Sequence, residues 1–137
     1  MSKLAIVYWS GTGNTESMAE MVKKAATEKG LEVDTFTSDN FNSSKTENYN
    51  LFAFGCPSMG AEVLEESEFQ PMWDEVKNSL SNKKTLLFGS YGWGDGEWMQ
   101  NWQEDCGNAN VIGTYICNEA PESDDETNLA NLVNQLN

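Results

Sequence analysis

The sequence KLAIVYWSGTGNTE, from Lys3 to Glu16, decides the fold, because it joins a short apolar run to a loop of glycines and hydroxyl side chains. Residues 3–8 have the length and apolar character of a buried strand. Residues 15–29 then carry apolar side chains at helical spacing, and Gly30 marks the end of that helix. A strand, a glycine-rich loop and a helix in this order are typical of the first unit of an α/β sheet.

The alternation of strands and helices continues along the rest of the chain. The patterns predict strands over 32–37, 49–55, 85–90 and 111–117, and helices over 69–80, 97–106 and 123–136, the last with Ser123 as its cap. The polar residues 38–48 predict a loop with room for one turn of helix. Five strands that alternate with helices imply an α/β fold, in which a doubly wound parallel sheet is covered on both faces. We expect a single domain over 1–137.

The charge balance restricts the partners. The chain has 22 acidic residues and 8 basic ones, all of them Lys, for a formal net charge of −14. Nucleic acid and anionic membranes are disfavoured, because they are bound through basic side chains. A basic protein partner is favoured, with long-range steering that salt would weaken. The alternative is that the charge only keeps the chain in solution.

Other compositional features exclude whole classes of site. The chain has no His, so the pairs and metal sites that need imidazole are excluded. Its three cysteines, Cys56, Cys106 and Cys117, have no C-x-x-C spacing and are too few for an iron–sulfur cluster. No apolar run is long enough for a membrane span or a signal peptide, so we expect a soluble cytoplasmic protein with reduced thiols.

Three irregular loops follow the first, third and fourth strands, at the sheet edge where ligands of this fold class bind. The first, residues 10–15, places glycines and hydroxyls at a helix N-terminus, which suits an anion. It lacks the Lys of a Walker loop, and Glu16 stands where the dinucleotide fingerprint needs Gly. One terminal phosphate therefore fits better than a pyrophosphate. The alternative is a plain turn that caps the helix through Asn14 or Thr15.

The other two loops offer groups for a flat ring. The third loop, YGWGDG over 91–96, places Trp93 between two glycines, where an exposed indole could stack on a ligand. The second loop, CPSMGAE over 56–62, offers Met59 for the opposite face and Glu62 to accept a hydrogen bond from a ring N–H. The alternatives are a Trp93 folded back onto the domain and a Met59 that only fills the core.

These three motifs, in this order, resemble those of the flavodoxin family, specifically its short-chain clostridial members. The resemblance rests on IVYWSGTGNTE (6–16), MGAEVLEESEF (59–69) and LFGSYGWGDGEWM (87–99), and on an uninterrupted last strand. It implies strand order 2-1-3-4-5 and FMN as the cofactor. The first loop would hold the phosphate, and Met59 and Trp93 would enclose the flavin ring. The cofactor-binding residues implied or expected are Ser10, Gly11, Thr12, Gly13, Asn14, Thr15, Pro57, Ser58, Met59, Gly60, Ala61, Glu62, Ser90, Tyr91, Gly92, Trp93 and Gly94.

The resemblance also implies a function. The chain would be an electron-transfer protein rather than an enzyme, a low-potential one-electron carrier in which FMN alternates between semiquinone and hydroquinone. We expect the carboxylates of Glu65, Glu66 and neighbouring residues to lower the potential and to meet basic patches on transient redox partners, with the chain as a monomer. Pro57 replaces a Ser of some relatives. If Ala61 needs a positive φ, it would cost about 1 kcal/mol relative to Gly.

Three other functions are compatible with parts of this pattern. A small FMN-dependent reductase on the same fold would need a substrate pocket, and the short chain without Arg or His disfavours it. A phospho-receiver domain would need acidic residues after the first strand and Asp after the third, where Ser10-Gly11 and Cys56-Pro57 stand. A pure interaction module would leave the three loops unexplained.

Overall fold

The computed structural model describes residues 2–136. Within them, strands and helices alternate in the predicted order, and short 3-10 segments lie at Ser38–Asn40, Ser43–Asn48 and Lys77–Ser79. The elements are β1 (Lys3–Tyr8), α1 (Asn14–Glu28), β2 (Glu32–Thr37), β3 (Leu51–Gly55), α2 (Phe69–Val76), β4 (Lys84–Tyr91), α3 (Glu97–Glu104), β5 (Asn110–Asn118) and α4 (Ser123–Val133).

The five strands form one parallel sheet in the order β2-β1-β3-β4-β5. A separate apolar core lies on each face. Side chains of α1 and α4, such as Val22 and Leu129, pack on one face, and α2 and α3 contribute Trp73 and Trp102 to the other. Because both faces are covered, β3 is buried along its whole length. The predicted fold class and strand order are confirmed.

Several element boundaries differ from the sequence prediction. The helix predicted over 69–80 ends at Val76 and continues as a 3-10 turn, where Asn78 and Ser79 are poor helix formers. The cap of α4 is Glu122 rather than Ser123. The carboxylate of Glu122 accepts from the backbone of Asp125, whose own carboxylate accepts from Glu122 N at 2.8 Å. This reciprocal pair satisfies two of the backbone N–H groups that a helix start leaves free.

The carboxyl ends of β1, β3 and β4 meet at one edge of the sheet, as parallel strands require. Two contacts hold the second loop there: Ser58 N donates to Ser90 O of β4 at 3.0 Å, and the Trp98 indole of α3 donates to Cys56 O at 3.2 Å. Gly89 is required at this junction, since a Cβ on it would collide with the Cys56 carbonyl oxygen. These contacts fix the start of the second loop to the neighbouring strand and helix.

No helix among residues 2–136 combines the length and the apolar character that crossing a membrane requires.

Candidate functional site

A cleft of about 360 Å³ opens at this edge of the sheet, between the three loops. Each loop contributes to its wall. The predicted residues that line it are Ser10, Gly11, Thr12, Asn14, Thr15, Pro57, Ser58, Met59, Ser90, Tyr91 and Gly92. The other predicted residues, Gly13, Gly60, Ala61, Glu62, Trp93 and Gly94, are not among those that line it.

The first loop leaves the start of α1 open toward the cleft. Gly13 stands at the cap position of the helix with a φ of 98°, and as a glycine it has no side chain to accept from the first-turn amides. The alternative in which Asn14 or Thr15 caps the helix is therefore not what the structure shows. Ser10 Oγ accepts from Gly13 N at 3.1 Å and from Glu16 N at 3.3 Å, and these bonds fix the curve of the loop. The remaining first-turn amides have no intrahelical partner and suit an anion.

Two hydroxyl groups of the cleft are buried without any hydrogen-bond partner within the described residues. They are Thr15 Oγ1, on a side chain that is 1% exposed, and Ser58 Oγ on the second loop. A buried hydroxyl without a partner costs free energy, on the order of 1–3 kcal/mol. Both residues line the cleft, so a ligand with acceptor oxygens would supply the missing partners.

The second loop forms a tight turn. Met59 and Val63 pair through two backbone bonds, Met59 N to Val63 O at 2.9 Å and Val63 N to Met59 O at 3.1 Å. Positive φ angles occur at Gly60 (43°) and Glu62 (55°). Ala61 is not among the residues with positive φ, so the condition under which Ala61 would be strained is not met. The non-glycine residue of this loop with a positive φ is Glu62.

The third loop presents its indole to solvent. Trp93 is 60% exposed, so the alternative in which it folds back onto the domain is not observed. Glu62 of the second loop reaches across to the third: its Oε1 accepts from Glu97 N at 3.2 Å, and its carboxylate lies against Gly94. Trp93 directly follows Gly92 of the cleft wall, and Glu62 lies on the same loop as Met59 of the wall, so both belong to the border of the cleft, which we call the rim.

Sequence analysis missed two residues of the cleft wall, Trp9 and Glu119. Each follows directly after a strand, β1 for Trp9 and β5 for Glu119. That position was the available signal, since residues just beyond parallel strands share the edge where ligands bind. Glu119 has a φ of 60°, and its carbonyl oxygen accepts from Ser90 Oγ at 2.6 Å. The fifth strand therefore contributes to the site as well.

Glu65 has a structural role instead of the expected place on an acidic rim. It is only 7% exposed, and its carboxylate accepts from the backbone N–H groups of Ser67, Glu68 and Phe69 at 2.7–2.9 Å. Burial acts to raise the pKa of Glu65, but these hydrogen bonds outweigh it and hold the pKa below its ordinary value. Glu66 and Glu68 are exposed.

The three cysteines are buried free thiols. Burial raises the pKa of Cys106 to about 12 and that of Cys117 to about 11, and it also raises the pKa of Cys56. All three are thus protonated at neutral pH and serve as small apolar side chains.

Comparison with known proteins gives a consistent set of relatives. The family model described as flavodoxin matches residues 6–130. A flavodoxin of Clostridium beijerinckii is 50% identical over 74% of this chain and 73% of its own length. A flavodoxin of Megasphaera elsdenii is 46% identical over 86% of this chain and 88% of its own length. The solution structure of two-electron reduced M. elsdenii flavodoxin has a TM-score of 0.87, covering 96% of this chain and 98% of that one at 41% identity.

Proposed function

Because the chain belongs to the flavodoxin family, and is therefore an electron-transfer protein that uses FMN, we propose that it is a low-potential carrier whose cofactor occupies the cleft between the three loops. Bound FMN accepts and releases single electrons. The chain contributes no bond-making chemistry of its own; its residues bind the cofactor, exclude water from it and set its potential. We further propose that residues 1–137 act as one FMN-binding domain.

The two unpartnered buried hydroxyls carry the assignment of the cleft. Thr15 Oγ1 and Ser58 Oγ lack partners in the described chain, and both residues line a wall that also contains the open start of α1. A phosphate offers acceptor oxygens to hydroxyls and backbone amides alike. No Lys lines the cleft in the described part of the chain. The phosphate charge would thus be met by neutral donors and the helix dipole.

The flavin ring would lie toward the second and third loops. Met59 and Tyr91 line the cleft there, and the exposed indole of Trp93 stands at its rim. Closure of Trp93 over a planar ligand would bury apolar area that water now contacts. Tyr91 already packs on Trp98 of the core, with ring centroids 5.8 Å apart, so its side of the cleft is firmly supported.

The charge around the cleft supports a low potential. Carboxylate oxygens of Glu62, Asp95 and Glu97 lie within 4.8 Å of one another at the rim, and the chain has a net charge of −14. This field opposes the addition of a negative charge to any group in the cleft. For a one-electron couple, each 1.4 kcal/mol of such opposition lowers the potential by about 59 mV.

The same negative surface supports basic redox partners. Exposed carboxylates at the rim would steer a positively charged patch toward the cofactor, in weak encounters that salt weakens. We propose that the chain acts as a monomer in the cytoplasm and exchanges electrons with such partners through the rim that carries Trp93. No observation favours the reductase alternative.

Stepwise anaerobic reduction of the purified protein, followed by its visible spectrum, tests the proposal. We expect a yellow oxidised form that is reduced in two resolved one-electron steps, the second at the lower potential. A colourless protein that FMN cannot reconstitute would exclude it. Steady oxidation of NADPH by the isolated protein would instead support the reductase.

Replacing Trp93 with alanine is expected to weaken FMN binding by about 1–3 kcal/mol, the usual contribution of an aromatic side chain stacked on a base. Fluorescence titration of the apoprotein with FMN measures the change. Trp93→Phe is the control, since it keeps an aromatic ring and should recover much of the loss. Equal affinities for the wild type and Trp93→Ala would show that the indole does not contact the flavin.

A further inference from the structure

A second pocket, of about 210 Å³, lies beside the cleft. We call it the acidic pocket and define it by Tyr8, Trp9, Glu16, Ser38, Asp39 and Glu68, all of which line it. Trp9 lines both cavities. Its six-membered ring lies against Gly11 of the first loop, where a Cβ would come within 3.0 Å, and its indole N–H donates to Glu68 Oε1 at 2.9 Å. Trp9 therefore connects the acidic pocket to the cofactor cleft.

The charge of this pocket is not neutralised by the chain. Its three carboxylates come from three separate elements: Glu16 from the first turn of α1, Asp39 from the 3-10 segment after β2, and Glu68 from the residue before α2. None of them takes part in the ion pairs of residues 2–136. Two of them accept hydrogen bonds from neutral donors: Glu68 from the Trp9 indole, and Glu16 from the Tyr8 hydroxyl at 3.2 Å.

Ser38 gives a second, independent indication of a ligand. Its side chain is 2% exposed and lines the pocket, and its hydroxyl has no hydrogen-bond partner within the described residues. A native protein rarely buries a hydroxyl without a partner, and a partner that enters from outside removes the cost. The wall of the pocket thus contains both three carboxylates and a hydroxyl group that has no hydrogen-bond partner.

The arrangement fits a guanidinium better than a metal ion. Among the described residues, only Glu62, Asp95 and Glu97 bring three ligand oxygens within 4.8 Å of one another, so the carboxylates of the acidic pocket do not converge on one point. A guanidinium carries five N–H donors spread over a planar fork, and it stacks on aromatic rings such as those of Trp9 and Tyr8. It can reach separated carboxylates that a single small cation cannot.

We propose that the acidic pocket receives an arginine side chain of the redox partner and so anchors that partner beside the cofactor cleft. This rests on the proposed function, in which the chain meets basic proteins. An arginine bound to Glu68 would sit next to the hydrogen bond that Glu68 accepts from Trp9, whose ring packs on the first loop. The pocket adds a directional contact to the diffuse attraction of the acidic surface.

Two-dimensional ¹H–¹⁵N NMR of the FMN-loaded full chain tests the proposal through the Trp9 indole N–H, assigned with a Trp9→Phe variant. The probes are N-acetyl-argininamide, N-acetyl-lysinamide, the neutral N-acetyl-citrullinamide and MgCl₂, all at matched ionic strength. We expect the arginine probe to shift the Trp9 signal saturably, the lysine probe to bind at least about threefold more weakly, and the citrulline probe to have no effect.

Two double variants of equal charge change provide the control. Asp39→Asn/Glu68→Gln should weaken binding of the arginine probe at least about fivefold, whereas Glu28→Gln/Glu104→Gln, at exposed sites remote from the pocket, should change it less than about twofold. Equal binding of the arginine and lysine probes, equal effects of the two variants, or a response to Mg²⁺ alone would overturn the proposal. The flavin spectrum of the same sample tests the proposed function separately, since normal reduction without arginine binding overturns only the pocket.

Discussion

Replacing Glu65 with alanine is expected to destabilise the folded protein by about 2–3 kcal/mol, because charge-assisted hydrogen bonds and a helix cap are lost together. The carboxylate accepts from the first N–H group of α2 and from the two N–H groups just before it, and the residue is buried, so water cannot replace it fully. Glu65→Gln keeps one acceptor oxygen and should cost less. Guanidinium-induced unfolding at pH 7, with FMN at one saturating concentration, measures the difference.

Glu66→Ala is the matched control, since its carboxylate is next in sequence but exposed. It should change the free energy of unfolding by less than about 0.5 kcal/mol, as surface substitutions usually do. A loss as large as that of Glu65→Ala would show that general charge near α2, and not the three hydrogen bonds, stabilises the helix start.

The same carboxylate predicts a dependence on pH. The hydrogen bonds from Phe69, Glu68 and Ser67 hold the pKa of Glu65 below its ordinary value of 4.5 despite its burial. A carboxylate of lowered pKa contributes stability that is complete above the ordinary value and is lost as the pH falls through the folded-state pKa. The stability difference between the wild type and Glu65→Gln should therefore shrink below pH 4.5. A difference that is constant down to pH 3 would contradict this.

The fold could be predicted from sequence because β1, β3 and β4 are short apolar runs bounded by turn residues, and β2 alternates polar and apolar side chains. Residues 51–55 and 85–90 are buried throughout, so the period of their apolar residues cannot distinguish a strand from a helix, and the short length of each run decides for a strand. Boundaries were less certain, as at α4, where the cap depends on a reciprocal bond between Glu122 and Asp125. A pattern of apolar residues contains no information on such a bond.

The site could be predicted in part, for a similar reason. The glycines and hydroxyl side chains after β1 predict an anion site, but the backbone angles of the second loop cannot be predicted from its amino-acid composition. Glu62 has a positive φ and its side chain crosses to Glu97, whereas sequence analysis considered a positive φ only at Ala61. Likewise, Glu65 lies in an acidic stretch of sequence and is therefore expected to be exposed. The path of the chain before α2 turns its side chain inward, toward the backbone N–H group of Phe69.

The double variant Thr15→Val/Ser58→Ala is expected to weaken FMN binding at least about 100-fold, since each hydrogen bond to a charged phosphate contributes about 1.5–3 kcal/mol. The two hydroxyls are the unpartnered buried donors of the cleft. Valine keeps the branched shape of Thr15, so packing against the start of α1 should survive. Titration with riboflavin separates the effect on the phosphate from one on the ring: without a phosphate, riboflavin should lose less than about threefold.

The double variant should weaken FMN binding, but it should not lower the free energy of unfolding of the apoprotein. Removing a buried hydroxyl that lacks a partner relieves a cost, so the apo form of the double variant should be as stable as the wild type or more stable, by up to about 2 kcal/mol.

Ser38→Ala is the control, because it removes an equally buried, unpartnered hydroxyl that lies outside the cleft. It should leave FMN affinity unchanged. If Ser38→Ala weakened FMN binding as much as the double variant, or if riboflavin and FMN lost equal affinity, the two hydroxyls would not be the phosphate ligands. Loss of FMN affinity together with a more stable apoprotein would instead show that these two hydroxyl groups favour cofactor binding and lower the stability of the apoprotein.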